Sequence, residues 1–194
     1  MGRARQFQEE ATLEKAMLLF WEKGYEATSL SELTKVMGLS RSSFYDTFGS
    51  KKALFLATLS RYQANKHGQI IAILEGSLPG KRAIENVFKV YLDIAANDGG
   101  RKGCFVSNSA VEMAPHNLEI ETKVSMAIDR MELAFARAIK RGQEDGAIPN
   151  YKSPTALARF LVSCVNGLVV MTKAGVDSET LNDIVNESLS GLAR

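Results

Sequence analysis

The stretch from Thr28 to Lys52, TSLSELTKVMGLSRSSFYDTFGSKK, admits few backbone arrangements. Ser29 stands three residues before Glu32, the spacing of a capping box, and Leu33, Val36 and Met37 then supply one apolar face, so a helix starts near Leu30. Gly38 ends it where a left-handed backbone is needed. Leu39 plugs the turn, and Ser40 caps a second helix running from about Arg41 to Thr47. On that helix Phe44 and Phe48 must face inward, which leaves Arg41, Ser42, Ser43, Tyr45, Asp46 and Thr47 at its start and outer surface. A helix so rich in hydroxyls is poorly suited to a core and well suited to a partner. Ser50 then caps a third helix that opens with Lys51 and Lys52, and two cations beside the unpaired N–H groups of a helix N-terminus suit a phosphate.

A helix-turn-helix lays its second helix in the DNA major groove with its first residues toward base edges; the plainer alternative is a surface helix between two longer ones. The preceding segment, LEKAMLLFWEKGYEATS, carries Leu13, Ala16, Met17 and Phe20 at helical spacing, then Gly24 and Tyr25 before Thr28. Together with GLSRSSFYDTFGSKKALF, these motifs make the first 60 or so residues resemble the DNA-binding domain of the TetR family of bacterial transcriptional regulators. The resemblance implies that Thr28, Tyr45 and Lys51 contact phosphates and that Arg41, Ser42 and Ser43 lie near bases. It also implies a homodimer on double-stranded DNA, acting as a repressor released by a small-molecule effector. Two departures stand out. Thr34 occupies a position that in the family is commonly alanine, and Asp46-Thr47 replaces a frequent histidine or tyrosine pair. An acidic side chain cannot accept from a phosphate, so Asp46 either accepts from a cytosine amino group or faces away.

The rest of the chain reads as all-α. Of 194 residues only four are proline, and no segment sustains period-2 alternation between turn signals, so about nine helices are expected. Residues 1–50 make a three-helix DNA-binding domain, and 51–194 a larger effector-binding and dimerisation domain whose first helix, from Lys51 to about residue 76, is the connector. Gly68 inside that helix either marks a bend or is simply tolerated. Residues 1 to 66 carry +3 and the remainder −1, so the basic end coincides with the helix-turn-helix. Arg3 and Arg5 form either an arm for the minor groove or a solvated tail. The apolar stretch 160 to 171 reads as too short to span a bilayer, which points to a cytoplasmic protein with no membrane partner.

Cys104 and Cys164 have no C-x-x-C partner and no histidine close in sequence, so neither a zinc site nor a disulfide is expected. Cys104 follows Arg101, Lys102 and Gly103 at a helix start; it is either a lowered-pKa redox or electrophile sensor or a small buried hydrophobe. Two histidines outside any catalytic motif, and no nucleotide-binding loop, argue against an enzyme, a metal or a cofactor. Helices are expected from Arg82 until Asn97-Asp98-Gly99-Gly100 ends the run, over residues 103–114, from about Leu118 to Glu144, from Pro154, and from Asp177 or Ser178 onward. The one opening at Pro154 is apolar nearly all round, so its Leu157, Leu161, Cys164 and Leu168, with Ile184 and Leu189 of the last helix, are expected to meet a second copy, with a fully intramolecular core as the alternative. The Gly103-Cys104 start and the following Ala114-Pro115-His116-Asn117 turn are similar to TetR-family relatives that enclose an apolar cavity. On that resemblance Phe88, Tyr91, Phe105, Asn108, Glu112, Met113, Met131, Phe135 and Met171 are candidates for its wall, with ordinary core as the alternative for each. A ligand-independent DNA-binding protein remains the rival reading.

Overall fold

The computed structural model describes residues 2–97 and 101–193, with side chains from residue 10 onward. The side chains of Arg3 and Arg5, and the turn residues Asp98 to Gly100, lie outside the described residues. The helices are α1 (Gly2–Lys23), α2 (Leu30–Met37), α3 (Arg41–Phe48), α4 (Lys51–Tyr62), α5 (Gly68–Glu75), α6 (Gly80–Ala96), α7 (Phe105–Glu112), α8 (Leu118–Glu144), α9 (Pro154–Lys173) and α10 (Ser178–Ser190). No strand occurs among the described residues. A π-helical segment, Gln63–His67, joins α4 to α5 without leaving helical backbone angles, so residues 51–75 form one rod and the described residues contain the expected nine helices.

Local chemistry sets most boundaries. Ser29 and Glu32 form a complete capping box, and Gly38 closes α2 at φ 70°. Ser40, Ser50, Asn117, Ser153 and Asp177 each accept a backbone N–H at the start of α3, α4, α8, α9 and α10. Gly142 lies in the last turn of α8, where a Cβ would stand 2.6 Å from Ile148 Cδ1. α6 begins against it: a Cβ on Gly80 would sit 2.0 Å from the Ala138 carbonyl and 2.5 Å from the Gly142 nitrogen.

Two apolar cores form, and the connecting rod crosses from one to the other. Leu54, Phe55, Leu59 and Tyr62 of α4 pack with Ala16, Met17, Phe20, Leu33, Met37 and Phe44. Ile70 and Leu74 of α5 pack with α6, α8, α9 and α10. The changeover falls on the π-helical segment, where the wider turn rotates the following residues about the helix axis. The sequence left Gly68 as either a bend or a tolerated residue, and the irregular segment ends just before it, at His67. The cores also do not divide at residue 50. Cys104, Phe105, Val106, Met113, Ile120, Val124 and Ala127, from α7 and the first half of α8, belong to the core of the N-terminal helices. Phe105 lies edge-on to Phe55 at 5.3 Å and to Tyr62 at 5.8 Å, so α7 is part of the head's foundation.

Candidate functional site

α3 presents the side chains expected of it. Phe44 is fully buried, while Arg41, Ser42, Ser43, Tyr45, Asp46 and Thr47 are exposed. Ser43 Oγ lies 2.9 Å from Ser40 Oγ, and Ser42 Oγ lies 3.4 Å from Asp46 Oδ2, so Asp46 stays on the outer surface beside Ser42. Thr34 turns its hydroxyl back to the Ser31 carbonyl, which consumes its polarity within α2. α1 and α2 are tied by Lys23 and Glu32; hydrogen bonds from Lys23 and from Ser29 hold the Glu32 carboxyl down at about 2.

Thr28 corrects one expectation. Its side chain is fully buried and its hydroxyl donates to the Gly24 carbonyl at 2.6 Å, so it braces the turn before α2 rather than facing a phosphate. Lys51 and Lys52 also part company. Lys52 pairs with Glu119 of α8, whereas Lys51 Nζ stands 4.3 Å from the centre of the Tyr25 ring. Arg41, Ser42, Ser43, Tyr45 and Lys51 remain as one exposed or half-exposed set, four on α3 and one at the start of α4.

Beneath this head, a cavity of about 520 Å³ opens between α5, α6 and α9. Its wall includes Trp21, Tyr62, Lys66, His67, Gln69, Ile70, Ile73, Tyr91, Leu92, Cys104, Leu168, Thr172 and Leu181, an apolar lining with a few polar groups and of a size suited to a small molecule. Of the expected wall residues Tyr91 lines it, its hydroxyl pushed well above the ordinary tyrosine range by burial. The others lie elsewhere. Phe88 and Phe135 fill the C-terminal core, Met171 packs against that core, and Phe105 and Met113 fill the head core. Met131 borders a void of about 30 Å³ next to His67 and Cys104, and Asn108 and Glu112 line a separate groove against Trp21 and Lys173. The reason is geometric: α7 turns its large residues to α4, and the cavity is walled by α5 and the rear of α6, whose sequence reads as ordinary amphipathic helix.

Sequence also missed a pairing. The π-helical segment brings His67 Nε2 to 3.5 Å from Cys104 Sγ, across 37 positions of chain. Burial opposes ionisation of this thiol, but the hydrogen bond and charge of His67, with further donors at Ser107, bring it down to about 7 from an ordinary 9.0. Of the cations expected to do this, Lys102 is engaged elsewhere: its ammonium is 3.8 Å from Glu22, and its carbonyl accepts from Asn108. The signal in sequence was Gly68, which marked the place where the helix departs from regularity without showing which way His67 would turn.

Two of the expected subunit contacts, Leu161 and Leu168, need revision as well. Leu161 and Leu168 are buried within the chain's own core, and Leu157, Cys164, Ile184 and Leu189 pack half-buried against it. The bare side of α9 is Ala156, Phe160, Ser163, Gly167 and Val170, with Phe160 at 49% and Val170 at 58% exposure. The apolar stretch 160 to 171 is short, but α9 as a whole, 20 residues from Pro154, is long and apolar enough to cross a membrane by length and composition alone. Its contacts with α6, α8 and α10 make it a core helix of the C-terminal half.

Residues 13–58 match the family described as bacterial regulatory proteins, tetR family, and residues 80–187 match the tetracyclin repressor-like C-terminal domain. The regulator YezE of Bacillus subtilis (strain 168), described as an uncharacterized HTH-type transcriptional regulator, is 33% identical over 99% of this chain and 100% of its own length. The HTH-type transcriptional repressor ComR of Escherichia coli (strain K12) is 30% identical over 97% of this chain and 90% of its own. A cysteine mutant of the TetR family transcriptional regulator CifR, solved with 26-bp double-strand operator DNA, superposes with a TM-score of 0.83 at 27% identity, covering 93% of this chain and 94% of that one.

Proposed function

Starting from the chain's membership of the TetR family of bacterial transcriptional regulators, we propose that it is a cytoplasmic repressor that binds a near-palindromic operator as a homodimer and leaves when a small molecule fills its cavity. It is a regulator rather than an enzyme. The single observation that supports this reading best is that one rod, residues 51–75, starts directly after an exposed polar α3 and goes on to wall an apolar cavity of about 520 Å³. Arg41, Ser42 and Ser43 stand where an α3 in the major groove meets base edges, and Tyr45 and Lys51 flank them for phosphates. A second subunit supplies the second reading helix: the bare Phe160, Gly167 and Val170 side of α9 is the surface it would cover, and two rigidly joined readers gain avidity that one short helix lacks. The family signature implies the release step; the cavity supports it, since a ligand-independent DNA binder has no need of one.

Selection of genomic fragments retained by the protein, followed by footprinting, tests the reading directly. Retained fragments should share two inverted half-sites about one helical turn or more apart. Retention of no fragment, or of fragments without a common site, would remove the repressor reading. Thermal stabilisation by members of a small-molecule library, lost when the cavity is filled by Leu181→Trp, tests the effector arm.

A further inference from the structure

α7 has one end in the cavity wall and the other on the reading head. At its start, Gly103 and Cys104 line the cavity, and the Gly103 carbonyl accepts from Trp21 Nε1 of α1 at 3.0 Å. At its end, Glu112 reaches across to the α1–α2 turn: Oε2 accepts from the Tyr25 N–H at 3.1 Å and Oε1 from the Glu26 N–H at 2.9 Å. A carboxylate on two successive backbone N–H groups is a charge-assisted pair of bonds, stronger than neutral ones and fixed in direction. The approach depends on Gly24. That residue has φ +84°, and a Cβ there would stand 2.8 Å from Glu112 Oε2. The turn so gripped carries Thr28 at the entrance to α2 and Tyr25, whose ring lies under Lys51.

Between those ends α7 is stiff. Its eight residues span about 12 Å as a helix, and Phe105 locks its first turn between Phe55 and Tyr62. Close-packed cores transmit displacement rather than absorb it. We infer that Glu112 is a positioning residue for DNA binding: α7 is a rod that carries a change at the Cys104 end of the cavity to the 24–28 turn, with Glu112 as its grip. This rests on the repressor reading above. The α4–α5 rod leads from the cavity to α3 and Lys51, and α7 leads to the turn whose Tyr25 ring lies under that same Lys51, so filling the cavity acts on the head along two routes.

The test uses the full chain in a Cys164→Ser background, iodoacetamide as the cavity probe, and the duplex recovered by fragment selection. The Cys104 thiolate displaces iodide, forming a C–S bond as the C–I bond breaks, and leaves a carboxamidomethyl group on the cavity wall. With Glu112 intact, complete modification should weaken duplex binding at least tenfold. In Glu112→Gln and Glu112→Ala, modified and unmodified proteins should differ by less than twofold. Amide exchange at Tyr25 and Glu26 should quicken at least tenfold in both variants while Leu33 and Phe44 keep their protection, which separates a lost grip from an unfolded head. Gln keeps one acceptor oxygen, so its unmodified form should bind the duplex more tightly than the Ala variant does. The inference is overturned if either variant responds to alkylation by the same factor as its Glu112 parent, or if the fully modified parent binds unchanged. A parent that retains no duplex before any modification overturns the DNA-binding reading itself, a different result.

Discussion

Lys51 Nζ is poised 4.3 Å from the centre of the Tyr25 ring, and that ring is itself edge-on to Phe55 at 5.1 Å and stacked near Phe20 at 6.0 Å. The ammonium is therefore placed by an aromatic group that belongs to the turn after α1, not by a neighbour on its own helix. An exposed cation–π contact is worth about 0.5–1 kcal/mol, enough to narrow where a flexible lysine stands without burying its charge.

Replacing Lys51 with Ala should weaken binding to all duplexes by a similar factor and reduce the slope of log K against log salt by about 1. Tyr25→Leu should do less, a loss of about two- to fivefold with the salt slope nearly kept, because the charge remains and only its placement is lost. Equilibrium titrations at three salt concentrations distinguish the two. An unchanged slope in Lys51→Ala would mean that its ammonium meets no phosphate.

Arg41→Ala should relax base preference at one position of each half-site, at about 1–3 kcal/mol per lost bidentate contact, with little change at other positions. Asp46→Asn tests the acidic departure on the same face. Asp46 shares the outer surface of α3 with Ser42 at 3.4 Å, so the expected outcome is altered preference at a cytosine-bearing position rather than a uniform gain for all duplexes. A uniform gain would show that Asp46 merely repels the backbone.

The head was legible in sequence because its signals are local. Ser29 with Glu32, Ser40 ahead of α3, and Phe44 with Phe48 each act over three or four positions, and the structure has each cap and each inward ring where spacing puts it. Thr28 was misplaced because burial is a tertiary property: its position next to a cap says nothing of the Gly24 carbonyl that takes its hydroxyl. The cavity was less legible still. His67, Trp21 and Cys104 come from three separate segments, and their meeting depends on how far a π-helical turn rotates the rod and on where α1 ends. Likewise Leu161 and Phe160 are adjacent in a helix apolar on every side, and only the packing of α9 on α8 decides which of them faces outward.

Alkylation of Cys104 should follow a titration centred near pH 7, two pH units below an ordinary thiol. The sign follows from the lowered value: thiolate is the minor form below pH 7 and the major form above it, so the rate rises through 7 and is level by about 9. His67→Ala removes the main partner that lowers it and leaves burial opposed only by the Ser107 donors, so the midpoint should move up and the rate at pH 7 should fall. Mass-spectrometric rate measurements from pH 5.5 to 9.5 in the Cys164→Ser background decide this. A midpoint unmoved by His67→Ala would show that the 3.5 Å contact has no hold on the thiol.

Subunit pairing should respond to the outer side of α9 and not to its inner side. Gly167 has open space where a Cβ would stand, so Gly167→Arg adds bulk and charge without straining the monomer. Phe160→Asp likewise removes a large apolar group that is 49% exposed in the single chain. Both variants should sediment as monomers at micromolar concentration, keep their helical signal, and bind a full palindrome no better than an isolated half-site. Leu161→Asp is the contrasting case. Its side chain is fully buried in the chain's own core, so the substitution should cost at least the roughly 2–5 kcal/mol of a large-to-small core change, plus that of an unpaired buried charge. It should therefore lower the melting temperature of the chain itself, whatever its state of assembly. A stable monomeric Leu161→Asp, or a Gly167→Arg that remains dimeric and reads the palindrome normally, would move the interface off this face of α9.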